Sequence, residues 1–485
     1  MTSLPDETRQ GRWIGALAVL VLLSEQTALG FQLIAPTLLS FAAKFHTTQI
    51  IWMITIFTLV GGVLTPVVGK LGDRFGKRRI LLAAAVVSMI GSVVCALTDS
   101  FAVLLVGRAL MGLSMAFLPV TYALIRDIFP ARRRAMSIGI ASNGVGVVAV
   151  AGPFLAGYLI DHVSLESVFW FVGLLSLVGS LGTLALVPES PVRSDSRIDY
   201  VGAAALTAGL LAIMYGISQL ATWRLTDPRT LLTIGGGVLV LVAWWFWERR
   251  TAEPFVDTRL LSSRPLATVL LSFAFSAGAG VVMSSYLPTM LQTPRALGGD
   301  YGFGLSATDV AVYIAPAGVL AVAVGILVGA LAPRTGCRIF LIAGSLLGIV
   351  GALGVGFLRT ESWMPIVFYA FAGLATMINA AATTLLMTVS PALSRGVTAG
   401  MASALGGAVG SLFAQLGGVV LSKNVGQVVQ GQPIPTGHGM GLVFLIAAAL
   451  FVVGTVLAVA VPERRPHSAQ TSLLTNATVA AEPSV

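Results

Sequence analysis

Long apolar runs recur from one end of the chain to the other. A helix needs about 20 mostly apolar residues to cross a lipid bilayer. Fourteen segments meet this requirement, at residues 13–38, 50–69, 80–98, 101–125, 135–160, 167–187, 200–221, 230–248, 265–291, 306–332, 338–357, 363–389, 397–421 and 438–461. Because lipid offers no partners to backbone amides, each segment is predicted to be a helix. The sequence therefore predicts an all-α polytopic membrane protein with fourteen transmembrane helices.

Composition agrees with a single membrane body. The 485 residues are 56% hydrophobic and 10% charged, whereas soluble proteins carry about 25% charged residues. Cys95 lies in an apolar run and Cys337 in a short basic loop, so we expect neither a disulfide nor a metal site. The sequence contains no phosphate-binding loop and no nucleophile motif, so neither an enzyme nor ATP-driven transport is expected, and no cofactor is implied.

Basic residues are distributed unevenly between alternate loops. With both termini on the cytoplasmic side, the inner segments hold 22 Lys and Arg residues and the outer loops hold 6. This bias predicts that both termini are cytoplasmic, with residues 1–12 as the N-terminal segment. Residues 462–485 are rich in Ser, Thr and Ala and are predicted to be a disordered tail. It also accounts for the net charge of +9 without a nucleic-acid partner. Arg is abundant, Lys is scarce, and Ala, Gly, Val and Leu are plentiful, which indicates a GC-rich bacterial genome. The expected location is therefore a bacterial cytoplasmic membrane.

Two loops of this inner set share a pattern. Gly, Leu, Arg, Gly and Arg recur at an offset of 260 residues, from Gly69–Arg78 to Gly329–Arg338. The sequence therefore predicts two six-helix pseudo-repeats, at 13–187 and 265–461. The segment 188–264 between them is predicted to be a linker with an inserted two-helix hairpin.

The first of these loops resembles the loop signature of the major facilitator superfamily. The match rests on Gly69, Leu71, Asp73, Arg74, Gly76, Lys77 and Arg78. Arg108 and Gly112 in the fourth run resemble the arginine motif of that family. Gly144, Gly152, Pro153 and Gly157 in the fifth run are similar to its antiporter motif. With fourteen runs, the chain looks like the fourteen-helix drug:proton antiporter branch. The aspartate motif that is usual there in the first run is replaced by Ser24–Thr27.

Two charged residues lie inside predicted spans. Glu25 is about halfway along the first run, where a charged carboxylate costs about 2.5–3.5 kcal/mol. It is either a proton or cationic-substrate site or a protonated structural residue bonded to a neighbouring helix. Arg108 either faces a polar interior, where the resemblance implies a role in proton coupling, or reaches the outer surface by snorkelling. Depth in the membrane permits a direct Glu25–Arg108 pair.

The motif residues carry expectations of their own. The resemblance implies that Asp73, with Gly69, Arg74, Gly76 and Arg78, forms a cytoplasmic latch that holds an outward-open state. The alternative is a helix cap with basic residues that set topology. The fifth-run glycines and Pro153 either shape a cavity and seal it or serve close helix packing.

These observations favour a proton-coupled secondary transporter that exports small amphipathic molecules, such as antibiotics or drugs, by alternating access. Expected partners are a small-molecule substrate, protons and the lipid bilayer, and the protein is expected to be a monomer. The alternatives are a proton-coupled uptake permease for a metabolite and a non-transporting membrane sensor.

Overall fold

A computed structural model describes residues 6–193, 199–251, 263–298, 301–389, 395–429 and 432–461. Within these residues, fourteen helical segments are long and apolar enough to cross a membrane, which confirms the predicted number. We call them spans 1 to 14 in chain order. The first is longer than predicted and runs from Trp13 to Lys44.

The spans are built from helices with the following bounds. The first half contains Asp6–Ser24, Gln26–Gln32 and Leu38–Lys44 (span 1), Trp52–Phe75 (span 2), Lys77–Leu97 (span 3), Phe101–Met111 and Phe117–Ile128 (span 4), Ala131–His162 (span 5) and Ser167–Leu186 (span 6). The hairpin contains Tyr200–Ser218 (span 7) and Pro228–Arg250 (span 8). The second half contains Arg264–Gln292 (span 9), Ala307–Thr335 (span 10), Arg338–Phe357 (span 11), Met364–Ala375 and Met377–Val389 (span 12), Arg395–Lys423 (span 13) and Gly437–Val459 (span 14). A four-residue helix, Arg295–Gly298, follows span 9.

Spans 1, 4 and 12 are interrupted near the middle of the membrane. Span 1 breaks at Glu25 and again at a 3-10 turn, Ala35–Thr37, which contains Pro36. Span 4 passes through a five-residue 3-10 segment, Gly112–Ala116. Glu25 keeps its helical hydrogen bonds, to Val21 and from Leu29, whereas the amides of Ile34 and Thr37 near the 3-10 turn bond only three residues back. Backbone groups freed by such turns are tolerated in a membrane where protein or a water-filled cavity covers them.

The two halves repeat one local structure, as the sequence predicted. Gly76 and Gly336 occupy equivalent positions and both adopt positive φ, at 117° and 84°. Arg78 then donates a hydrogen bond to the carbonyl of Leu184 in the last turn of span 6. Its counterpart Arg338 donates to the carbonyl of Val459, the last residue of span 14, at 2.5 Å. Each loop thus fastens the third helix of its half to the sixth.

The halves meet along two seams. Span 2 packs against span 13, and span 5 packs against span 10. Spans 7 and 8 pack on each other as the predicted inserted hairpin, and span 7 leans on both span 2 and span 13. The hairpin therefore lies beside one seam rather than between the halves.

Among the described residues, both seams are in close contact toward one side of the membrane and lack such contacts toward the other. We call the side of residues 70–79 and 334–338 the basic side. Gly318 and Gly146 lie tightly against the facing helix of the span 5–span 10 seam. Further toward the basic side on the same faces, Gly325 and Gly139 have no other atom within 4 Å of their Cβ positions. Gly69, two turns beyond Gly62 on span 2, is equally open. Among the described residues, the contacts between the halves therefore lie away from the basic side, as in a conformation that is open toward that side.

The loop between spans 13 and 14 forms a short antiparallel hairpin that the sequence did not predict. Its strands are β1 (Val425–Val429) and β2 (Gln432–Pro435). The predicted tail 462–485 lies outside the described residues, as do parts of the linker 188–264 and the start of the segment 1–12. The predicted limits of the two bundles and of the linker stay predictions.

Candidate functional site

Glu25 lies at the first break of span 1, between two helical segments. Its side chain is buried, with 7% of the residue exposed. Among the described residues, neither of its buried carboxylate oxygens has a hydrogen-bond partner, and the same is true of the side-chain amide of the adjacent Gln26. Thr27, one residue further, donates a hydrogen bond to the Ser114 carbonyl in the broken part of span 4, at 2.6 Å. The two interrupted helices thus meet beside an unsatisfied buried acid.

Arg108 is fully buried, so it faces the protein interior and does not snorkel to the surface. Its Nε donates to the Met53 carbonyl of span 2 at 2.9 Å, and a terminal guanidinium nitrogen donates to the Gly30 carbonyl of span 1 at 3.1 Å. The guanidinium also lies 4.4 Å from the ring centroid of Phe57. Because the Ile34 amide bonds to Phe31 instead, Arg108 supplies the donor that Gly30 lacks.

Glu25 and Arg108 form neither an ion pair nor a hydrogen bond in this conformation. Arg108 reaches span 1 at Gly30, five residues and therefore roughly 7.5 Å of helix rise beyond Glu25. The direct pair that depth permitted is absent here. Backbone carbonyls and an aromatic ring surround the cation in its place.

The predicted latch residue Asp73 takes part in an ion-pair network confined to the first half. Lys77 Nζ lies 2.9 Å from Asp73 and 2.8 Å from Asp127 at the end of span 4. Ser190, after span 6, donates a hydrogen bond to Asp127 at 2.7 Å. Among the described residues, none of these groups bonds to the second half. The network therefore joins spans 2, 3, 4 and 6, and leaves the halves free to separate at the basic side.

The other signature residues differ in what they do. Gly76 has a φ of 117°, a conformation that favours glycine. A Cβ there would also lie 2.5 Å from an Arg193 side-chain nitrogen and 2.7 Å from a Glu189 oxygen. The Glu189 carboxylate accepts hydrogen bonds from the amides of Arg78 and Arg79 at 3.0 and 3.2 Å, which caps the start of span 3. Arg74 is exposed and stacks on Phe75.

The antiporter-like residues lie where span 5 is closely approached by other helices. A Cβ at Gly152 would lie 3.2 Å from Gln32 of span 1. A Cβ at Gly157 would lie 2.4 Å from the Thr308 Cα of span 10. Pro153 is buried within the continuous helix Ala131–His162. Gly144 belongs to the same helix, but its surroundings lie outside the described residues.

Asp161 closes the span 5–span 10 seam at the side opposite the basic side. Its carboxylate accepts hydrogen bonds from the amide and hydroxyl of Thr308, at 2.8 and 2.7 Å, at the start of span 10. An acid at a helix N-terminus is favoured by the helix dipole. Two side-chain hydrogen bonds close the span 2–span 13 seam: Thr58 with Ser411 at 2.5 Å, and Gln415 to Thr55 at 3.0 Å. Another cross-half hydrogen bond runs from Gln292 to the Pro36 carbonyl at 2.8 Å.

A further ion pair on that side stays within the first half. Lys44 at the end of span 1 lies 2.8 Å from Glu166, which precedes span 6. The hydrogen bond from Lys44 lowers the pKa of the Glu166 carboxyl. It ties the interrupted span 1 to its own bundle.

Sequence reasoning located Glu25, Arg108 and the loop signature, but it missed Asp127, Glu189 and Asp161. Each of these acids acts on a partner far away in the chain: Lys77, the Arg78 amide and Thr308. The only available signal was an acid at the end of an apolar run, which is also what an interfacial residue produces.

The chain has the architecture of a membrane transporter. Its two six-helix halves are pseudo-equivalent, polar groups lie at interrupted helices, and the described contacts across both seams lie toward one side. The chain belongs to the Major Facilitator Superfamily, whose sequence profile matches residues 22–415.

Known proteins of this family show what the chain resembles. It is 28% identical to the tetracenomycin C resistance and export protein of Streptomyces glaucescens, over 78% of this chain and 70% of that protein. It is 25% identical to the uridine/deoxyuridine transporter of Lactococcus lactis, over 80% and 84% of the two chains. Several other curated relatives are spanned over only about half of their length. A crystal structure of a peptide transporter of the POT family superposes with a TM-score of 0.64 at 14% identity, covering 93% of this chain and 97% of that one.

Proposed function

We propose that this transporter exports small amphipathic molecules in exchange for protons that enter the cell. The observation that carries the proposal is Glu25, a buried carboxyl whose oxygens have no hydrogen-bond partner, at a break in span 1. A carboxyl without partners in a low-dielectric site favours its neutral form and releases its proton when the site becomes hydrated. Alternating exposure of such a group to the two sides of the membrane couples its proton to the movement of the halves.

Arg108 and the loop network take roles consistent with this proposal. Arg108 of span 4 holds spans 1 and 2 by hydrogen bonds to the carbonyls of Gly30 and Met53. A movement of span 1 is therefore transmitted to span 4. Asp73, bound here to Lys77, becomes a latch when the basic side closes and the second half approaches. Gly152 and Gly157 keep span 5 close to spans 1 and 10 and thereby seal the closed side.

Everted membrane vesicles provide the test. The acidic lumen should drive uptake of ethidium or tetracenomycin C, and Glu25→Gln should abolish this proton-driven uptake while membrane insertion is unchanged. Glu361→Gln, which removes an exposed acid between spans 11 and 12, is the matched control and should transport normally. Undiminished proton-driven uptake by Glu25→Gln would remove Glu25 from the mechanism.

Proton-coupled uptake of a metabolite is the second candidate, and the likeness to a uridine/deoxyuridine transporter favours it. Whole cells distinguish the two directions. Collapsing the pH gradient raises the cellular content of an exported compound and lowers that of an imported one. Radiolabelled uridine and ethidium, measured in the same cells, cover both candidates.

We further propose a bacterial cytoplasmic membrane as the location, with both termini in the cytoplasm and the protein acting as a monomer. The 22 basic residues of one set of loops against 6 of the other support this orientation. The proposal places the basic side, and the opening seen here, toward the cytoplasm.

A further inference from the structure

The inserted hairpin carries an apolar groove that opens sideways from the bundle. Its volume is about 480 Å³, and its walls are Leu206 of span 7 and, on span 8, Val238, Leu241, Val242, Trp244, Trp245 and Phe246. Span 8 is the least buried span, since 11% of its apolar window is covered by protein. The groove therefore faces the hydrocarbon of the bilayer, and none of the residues assigned to transport contributes to it.

The groove leads to a positive charge at the basic side. Trp245 lines the groove and also stacks with Arg249, whose guanidinium lies 5.0 Å from its ring centroid. Arg249 and Arg250 are exposed at the end of span 8. In the described part of the chain, neither forms an ion pair with a carboxylate. An apolar channel thus ends at two available guanidinium groups.

Among the described residues, the two nearest acids, Asp199 and Glu248, form no ion pair with Arg249 or Arg250. Asp199 accepts hydrogen bonds from the Trp247 indole at 3.1 Å and from the Gly202 amide at 2.8 Å. Glu248 is 1% exposed and points at Gly202, between spans 7 and 8. Asp199 thus lies against Trp247 of span 8 and Glu248 faces span 7, whereas Arg249 and Arg250 are exposed.

We propose that this groove binds one anionic phospholipid, with an acyl chain against span 8 and the phosphate at Arg249 and Arg250. The burial of each methylene contributes about 0.8 kcal/mol, and guanidinium groups form paired hydrogen bonds with phosphate oxygens. Tryptophan and arginine together at the membrane interface suit a headgroup at this depth. A bound lipid would fill the side of the hairpin that no protein covers, close to span 7, which touches both halves.

Native mass spectrometry of the delipidated full-length protein tests the proposal. Phosphatidylglycerol should bind about tenfold more tightly than phosphatidylcholine with the same acyl chains. Replacing both arginines, Arg249→Gln with Arg250→Gln, should bring the two affinities together. Arg132→Gln removes an exposed arginine from another span at the same side and should leave the preference unchanged.

A second pair of variants tests the apolar part. Val238→Trp fills the groove and should reduce the binding of both lipids at least several-fold. Leu239→Trp, the neighbouring residue outside the groove and 70% exposed, should not. Equal affinities for both lipids in the parent protein, or unchanged binding by Val238→Trp, would overturn the proposal. A dimer that Val238→Trp dissociates would overturn it too, because a second copy would then cover the groove.

Discussion

Arg108 connects three spans, because its guanidinium donates hydrogen bonds to span 1 and to span 2 from span 4. Its substitution should therefore affect both stability and transport. A lysine at this position has one nitrogen and cannot bond both the Gly30 and the Met53 carbonyls in the present geometry. We expect Arg108→Lys to lower the free energy of unfolding by roughly 1–3 kcal/mol and to reduce transport strongly. Thermal unfolding in detergent, with transport in vesicles, measures both effects.

The matched control for Arg108 lies at the other end of the same span. Arg126 has 69% of its side chain exposed, so Arg126→Lys should melt like the parent protein. If Arg108→Lys also melted like the parent, the two carbonyl bonds would not stabilise the broken helices.

Gly69 and Gly76 are equivalent in the sequence signature but not in the structure. Gly76→Ala must place a Cβ at a φ of 117°, 2.7 Å from a Glu189 oxygen. We expect a loss of about 1–2 kcal/mol from the backbone conformation alone. Gly69 has no other atom within 4 Å of its Cβ position, so Gly69→Ala should keep the parent stability. Equal melting temperatures of the two variants would contradict the distinction.

The burial of a side chain could be predicted from the sequence, but its hydrogen-bond partners could not. Hydropathy placed Glu25 within a span, and its burial follows from that position. It suggested no partner for Arg108, because the carbonyls of Gly30 and Met53 belong to other spans and are brought to the guanidinium only by helix packing. The 3-10 turn of span 1 contains Pro36, a local signal for a helix break, whereas the contact of Thr27 with Ser114 of span 4 could not be read from the sequence.

At the scale of elements, hydropathy predicted all fourteen spans, because the cost of placing polar residues in lipid acts on each segment separately. The seams between elements could not be predicted in the same way. Asp161 and Thr308 are 147 residues apart in the chain, and their contact exists only because spans 5 and 10 face each other. The loop repeat was the exception, since descent from one ancestral half leaves a trace in sequence.

The contact between span 5 and the start of span 10 should bias the conformational equilibrium. Asp161→Ala removes three charge-assisted hydrogen bonds, from the Thr308 hydroxyl and the amides of Thr308 and Ala307. If these bonds contribute about 1–2 kcal/mol, their loss shifts the population about tenfold toward opening at that side. Spin labels at the exposed positions Val163 and Trp363, which lie in different halves at that side, measure the shift as a change in their distance distribution.

Asp309 provides the control for this element. Its carboxylate contacts Ser306 of the same helix start at 2.9 Å. Asp309→Asn should therefore leave the distance distribution unchanged. An unchanged distribution in Asp161→Ala would show that the seam closes without this contact.

At the scale of the whole molecule, the eight spans between the two signature loops, spans 3 to 10, place both loops on one side of the membrane. Arg74→Cys and Arg334→Cys, both at exposed positions, should react with a membrane-impermeant maleimide in everted vesicles and not in intact cells. Val163→Cys, 63% exposed, should show the reverse. Opposite reactivity of the two loop cysteines would end the interpretation as two parallel repeats.

Movement of the halves can be tested by fastening them together. Thr58 in span 2 and Gly407 in span 13 belong to different halves, and a Cβ at Gly407 would lie 4.0 Å from the Thr58 Cβ. This separation suits a disulfide. We expect Thr58→Cys with Gly407→Cys, in a background without Cys95 and Cys337, to cross-link on oxidation and to lose turnover, which a reducing agent restores.

A disulfide inside one half separates blocked movement from general damage. Ser92 in span 3 and Gly173 in span 6 belong to the same half, with a Cβ separation of 3.6 Å. Because these helices move together if the halves are rigid bodies, oxidised Ser92→Cys with Gly173→Cys should keep its transport rate. Transport lost in this pair as well would mean that the first half itself must deform. Transport kept in the cross-half pair would mean that the span 2–span 13 seam does not need to open.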